Sequence, residues 1–117
     1  MNSKAQIGKD GEEAAADFLK EKGFEILERN YRYKHSEIDI ICKKDDLIIF
    51  IEVKTKSYTA FGEPETSVDD KKAAKVIEGA EQYVHENDWH GDIRFDVISL
   101  VKNKEGFEIE HFEDAFY

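Results

Sequence analysis

The stretch Leu47-Ile48-Ile49-Phe50-Ile51-Glu52-Val53-Lys54-Thr55-Lys56 decides how the chain is organised. Side chains alternate along an extended strand. Leu47, Ile49, Ile51, Val53 and Thr55 therefore share one face, and Ile48, Phe50, Glu52 and Lys54 share the other. Both faces are apolar over the first half, which predicts a central strand covered on both sides. Two opposite charges, Glu52 and Lys54, then enter one face directly after Phe50. Burying either one is costly without a partner, so this half of the strand carries a salt bridge or a ligand site.

Upstream, Glu37 to Cys42 is short and rich in β-branched residues, and Lys43 to Asp46 reads as a charged turn. Pairing the two strands across four turn residues sets Cys42 opposite Leu47, Asp39 opposite Phe50 and Glu37 opposite Glu52. Asp39 and Glu52 become same-face diagonal neighbours, roughly 7–8 Å apart along the backbone. Carboxylates that close repel unless a proton or a cation lies between them. An all-oxygen site beside a lysine suits Mg²⁺ (or Mn²⁺), which keeps several waters and takes few protein ligands. A slip of one residue would turn Asp39 away. Ile38, Ile40 and Cys42 share the opposite face, which makes Cys42 a small buried hydrophobe.

Further out, Gly8 to Lys22 reads as a helix, with Gly11, Ala14, Ala15, Phe18 and Leu19 at helical spacing and Gly23 to end it. Glu12 lies about 20° from the line of Leu19 on that helix, at the edge of the apolar face. It is a third acidic candidate, as ligand or water-holder. Phe24 to Tyr33 forms a first strand. Downstream, Ser57 to Thr66 contains Gly62 and Pro64 without apolar period and reads as a loop. Ser67 with Asp70 reads as a capping box opening a helix from Val68 to Glu86. Its buried stripe would be Ala73, Ile77, Ala80 and Val84, flanked by Val76 and Tyr83. Ile93 to Val101 and Phe107 to Phe112 are strands joined by a turn at Asn103 to Gly106. The order α-β-β-β-α-β-β predicts a single domain over residues 1–117, an α/β or α+β sandwich with a central mixed sheet.

Charge limits the partners. The chain has 17 basic and 27 acidic residues, a net −10, which argues against a strong, salt-driven nucleic-acid binder. Residues 1–75 hold 14 basic and 16 acidic side chains, whereas residues 76–117 hold 3 and 11. An anionic ligand therefore belongs on the first part. Lys71, Lys72 and Lys75 fall at a helix N-terminus, where free amides attract phosphate, or else form a solvated helix face. The [D/E]-x-K string of Glu52 and Lys54 recurs at Asp69-x-Lys71 and Asp70-x-Lys72. The string alone favours a structural salt bridge; the strand context and the facing Asp39 bring a metal site level with it. His35, His85, His90 and His111 show no ligand spacing and read as surface residues, and Trp89 as a packing residue. The lone Cys42 excludes an internal disulfide and a multi-cysteine zinc site. The longest apolar run, Leu47 to Ile51, offers neither a bilayer span nor a signal-peptide core, so a reduced, cytoplasmic setting is expected.

Several elements together resemble the YraN family of small bacterial proteins. They are Gly11-Glu12 followed by Ala15, Glu28-Arg29-Asn30-Tyr31-Arg32, Glu37-Ile38-Asp39-Ile40-Ile41 and Ile51-Glu52-Val53-Lys54-Thr55. Val68 with Lys72, Ala80 with Tyr83, and Arg94-Phe95-Asp96-Val97 complete the pattern, which runs from Gly8 to Ala115-Phe116. That family resembles a branch of the PD-(D/E)XK nucleases, close in layout to archaeal Holliday-junction resolvases. The resemblance implies a restriction-endonuclease-like α-β-β-β-α-β core with helices flanking the sheet. It implies that Asp39 and Glu52 bind Mg²⁺, that Lys54 positions or polarises the attacking water, and that Glu12 matches the first-helix glutamate of the resolvases. Lys72 falls on a lysine typical of the family. Ile38 stands where the superfamily name has proline, and Lys56 where the family often has arginine.

The activity so implied is a Mg²⁺-dependent endonuclease acting on DNA, branched or structured DNA included. Its phosphate contacts would lie near Lys54, Lys56, Lys71, Lys72 and Lys75. The acidic last third favours an alternative, a non-catalytic nucleic-acid-binding or adaptor module working through a protein partner. A third reading is an ion cluster that serves stability alone. No membrane is implied, and the oligomeric state is left open, with a homodimer one option.

Overall fold

The small side chains of the first helix let it lie close on the sheet. In α1 (Lys4–Glu21), Ala15, Ala16 and Leu19 are fully buried. Gly23 closes it at φ 90°, its amide and that of Phe24 donating to the carbonyls of Lys20 and Leu19. The computed structural model describes residues 4–57 and 68–116. After α1 come β1 (Glu25–Tyr33), β2 (Ser36–Lys44), β3 (Leu47–Ser57), α2 (Asp70–Glu86), β4 (Asp92–Asn103) and β5 (Gly106–Phe112). This is the expected order.

The five strands lie side by side in chain order. β1, β2 and β3 run antiparallel, β3 and β4 pair in parallel across α2, and β5 returns antiparallel to β4. β3 is central, as its two apolar faces require. On one side Ile49 and Ile51 pack with Ala15, Ala16 and Leu19 of α1. On the other, Ile48 and Phe50 pack with Val76, Ala80 and Tyr83 of α2 and with Phe116. The result is a mixed sheet between helices with the layout of a restriction-endonuclease-like core. Among the described residues no helix is long and apolar enough to cross a membrane.

Four local expectations need correction. The β2–β3 turn holds two residues, Asp45 and Asp46, not four, because Lys43 and Lys44 stay in the ladder opposite Ile48 and Leu47. Asp45 adopts φ 54°, a left-handed conformation that aspartate tolerates. The register therefore moves by two residues, which leaves side-chain parity unchanged. Second, Ile38 and Ile40 do not share a face: Ile38 lies in the α2-side core, and Ile40 and Cys42 lie in the α1-side core. β1 turns over at the same level. Arg29 reaches Glu13 of α1 at 2.8 Å, whereas Tyr31 meets Tyr83 edge-on and donates to Glu86 of α2 at 2.6 Å. Asn30, between them, sits at φ 53°.

Third, α2 begins at Asp70 and is capped by Asp69, whose side chain accepts from the Lys72 amide. The expected loop and its Ser67 cap lie outside the described residues, apart from Ser57, which ends β3. The fully buried face of α2 is Val76, Gly79, Ala80 and Tyr83, with Ala73, Ile77 and Val84 at its margin. The helix is rotated from the expected stripe because Val76 and Tyr83 carry the contact with Ile38, Ile41 and Phe50.

The fourth correction is His111, whose side chain is only 4% exposed. Its Nε2 lies 2.7 Å from Oδ2 of the fully buried Asp96. Arg94 donates to both oxygens of Asp96, at 2.8 and 2.9 Å, and the Asp114 amide donates at 2.9 Å. Burial alone would raise the Asp96 carboxyl, but His111, Arg94 and the Asp114 amide outweigh it and hold it below its ordinary range. This network clips residues 113–116 against β4, where the Ala115 amide bonds to Phe95 and Phe116 enters the core. The other three histidines are exposed, as expected. Asp96→Asn keeps the shape but leaves Arg94 without its buried counter-ion. Urea unfolding should show a loss of about 3–5 kcal/mol, the usual cost of breaking a buried pair.

Candidate functional site

Glu52 stands on the α2 side of β3, just beyond Phe50, and is 8% exposed. The β2–β3 ladder ends at Ile40 and Ile51, and continuing its register brings Asp39 level with Glu52. The two acids are thus direct neighbours rather than diagonal ones. Asp39 Oδ2 accepts from the Val53 amide at 2.8 Å, taking the place of a strand carbonyl. Because β2 turns over here, the Asp39 carboxylate lies between the two faces of the sheet. It feels Lys72 and Glu52 from one side, and Glu12 of α1 feels its charge from the other.

Glu12 is placed by its neighbour Gly11. A Cβ built on Gly11 would lie 2.7 Å from Thr55 Cγ2, so only glycine lets α1 settle this closely on β3. Lys54 is half-buried two residues beyond Glu52, and its charge lowers the Glu52 carboxyl. Lys72, from the first turn of α2, brings Nζ to 3.4 Å from Glu52 Oε1. Lys56, Lys71 and Lys75 are exposed. The structure thus brings Asp39 and Glu52 together with Lys54 and Lys72, while Glu12 is linked to them only through the charge of Asp39.

The charge balance is incomplete. Glu52 Oε2 is buried with no hydrogen-bond partner among the described residues. Burial, then the Asp39 charge, push the Glu52 carboxyl up to about 7, against the opposing pull of Lys72 and Lys54. Asp39 is raised mainly by burial, while the Val53 amide, Lys72 and a hydrogen bond with Glu52 counteract this. Glu12 is raised by burial and by Asp39. All three carboxyls thus hold their protons more tightly than usual. Among the described residues no three acidic, histidine or cysteine side chains converge as a ready-made metal cage. The Asp39–Glu52 edge is the feature that matches a hard cation, one that would keep most of its waters.

Sequence reasoning missed the pairing of Lys72 with Glu52. The available signal was local: the third position of a capped helix favours an acid, and a lysine there opposes the helix dipole. It also missed the Asp96–His111 clip, for which no spacing offers a cue.

The raised Glu52 gives stability a defined pH dependence. A carboxyl whose folded pKa exceeds its unfolded value contributes stability that is complete below about 4.5 and is lost as pH rises through about 7. Chemical denaturation from pH 5 to 8 should therefore show a fall of up to about 3 kcal/mol in the wild type. Glu52→Gln should flatten that fall.

The model of "Uncharacterised protein family UPF0102" matches residues 11–100, a span that contains Glu12, Asp39, Glu52, Lys54 and Lys72. A UPF0102 protein of Christiangramia forsetii is 44% identical, covering 96% of this chain and 94% of the relative. One from Flavobacterium psychrophilum is 43% identical over 95% and 93%. Another, from Persephonella marina, is 43% identical over 93% and 91%. The family model runs from within α1 to within β4 and includes the acidic pair, the relatives cover nearly the whole chain, and the chain belongs to the UPF0102 (YraN) family.

Proposed function

We propose that this protein is a metal-dependent endonuclease that hydrolyses phosphodiester bonds in DNA, branched or structured DNA included. The observation that carries the reading is the buried Glu52 Oε2 beside Asp39, without a hydrogen-bond partner among the described residues. Two carboxylates held together with a vacant oxygen fit Mg²⁺ or Mn²⁺ in chemistry. Asp39 and Glu52 would hold the ion. When bound, it would lower the pKa of a water and offset charge on the phosphate. Lys54, on the Glu52 face of β3, orients that water or holds a phosphate oxygen. Glu12 is a water-holder on the α1 side. Lys56, two residues beyond Lys54 on β3, and Lys71 and Lys75, beside Lys72 on α2, carry phosphate contacts away from the acidic last third. That acidic third supports a second reading, a non-catalytic nucleic-acid-binding or adaptor module with a protein partner.

The two readings separate on purified protein given linear, nicked and four-way DNA with Mg²⁺ or Mn²⁺. Metal should raise the melting temperature and support cleavage, and Asp39→Asn should abolish both responses. Lys54→Ala should stop cleavage while DNA binding survives. DNA binding without cleavage of any substrate, and without a metal-dependent rise in melting temperature, would favour the adaptor.

A further inference from the structure

Lys72 and Glu52 form an unequal pair. The lysine side chain is 42% exposed and the glutamate side chain 11%. The ammonium can withdraw into water at little desolvation cost, whereas the carboxylate is fixed in the strand. Their separation of 3.4 Å is long for a charge-assisted hydrogen bond, and it engages Oε1 while Oε2 has no hydrogen-bond partner among the described residues. Nothing in the helix itself calls for a cation here. The Lys72 amide is already held by the Asp69 cap, and three lysines crowd the two turns whose dipole disfavours positive charge. The position makes physical sense if Lys72 answers to anions outside α2.

We propose that Lys72 is the exchangeable counter-ion of Glu52. It is a positioning residue that occupies the carboxylate until a divalent cation takes it, and whose released ammonium then meets a phosphate oxygen of the substrate. The inference rests on the metal-dependent reading above and adds a role for a residue on α2. Lys72 holds Glu52 in place against repulsion from Asp39 while no metal is bound. Because it contacts only one oxygen, it leaves the other open to the incoming ion. The exchange needs only a side-chain swing.

Amine footprinting reads this directly. An acylating reagent is applied to the intact wild-type protein with and without saturating Mn²⁺, and modification of Lys72 is scored by mass spectrometry against exposed Lys75. Calorimetry run in parallel establishes whether Mn²⁺ binds. The expected result is a several-fold rise in Lys72 labelling with Mn²⁺, absent in Asp39→Asn, together with tighter Mn²⁺ binding by Lys72→Met. Lys72→Arg should restore affinity close to that of the wild type. Normal Mn²⁺ binding with unchanged Lys72 labelling would overturn the counter-ion role and leave the metal reading standing. Absence of Mn²⁺ binding in the wild type would overturn the metal reading, and this inference with it.

Discussion

The hydrogen bond from the Val53 amide to the Asp39 carboxylate is the contact on which the site depends. A strand carbonyl would ordinarily accept from that amide. Here a side chain does so, because β1 and β2 both turn over at the level of Asn30 and Asp39. The left-handed backbone of Asn30 permits the reversal without a glycine. It lets one strand pair serve both helices, sending Arg29 towards α1 and Tyr31 towards α2. It also leaves one acidic side chain in the plane of the sheet, where groups from both faces reach it.

Two buried carboxylates show two solutions to the same electrostatic problem. Asp96 is surrounded by donors from Arg94, His111 and the Asp114 backbone, and both oxygens are satisfied. It behaves as a structural anion, ionised across the whole physiological range. Glu52 has Lys72 at 3.4 Å, feels the Lys54 charge as well, and keeps one oxygen without a hydrogen-bond partner among the described residues. A fold able to build the first arrangement has not built it at the second. That contrast is what motivates the proposal that Glu52 is a ligand-binding position.

Much of this was legible in the chain itself. The five apolar residues from Leu47 to Ile51 fixed β3 as central, and the helical spacing of Ala15 and Leu19 fixed the α1 face. Asp39 beside Glu52 survived an error in the turn because the error was even: a shift of two residues preserves parity, and a shift of one would not have. The reversal at Asn30 was not legible, since strict alternation is the only rule a strand pattern offers. The rotation of α2 was hidden for a similar reason. Val76 and Tyr83 flanked the expected stripe, and only tertiary contact with Phe50 and Ile41 makes them its centre. His111 and Asp96 are distant in sequence, and β5 pairing alone brings them together.

The single cysteine has a practical consequence. Cys42 is fully enclosed in the α1-side core, and burial, reinforced by the Asp96 charge, pushes its thiol up to about 12. Maleimides and disulfide reagents attack thiolate, which is almost absent from such a group at neutral pH. The native chain is therefore chemically silent towards them. A cysteine introduced at an exposed position such as His35, in the β1–β2 turn, would be the sole reactive sulfur. A fluorophore or spin label attached there would report on that hairpin without removal of Cys42.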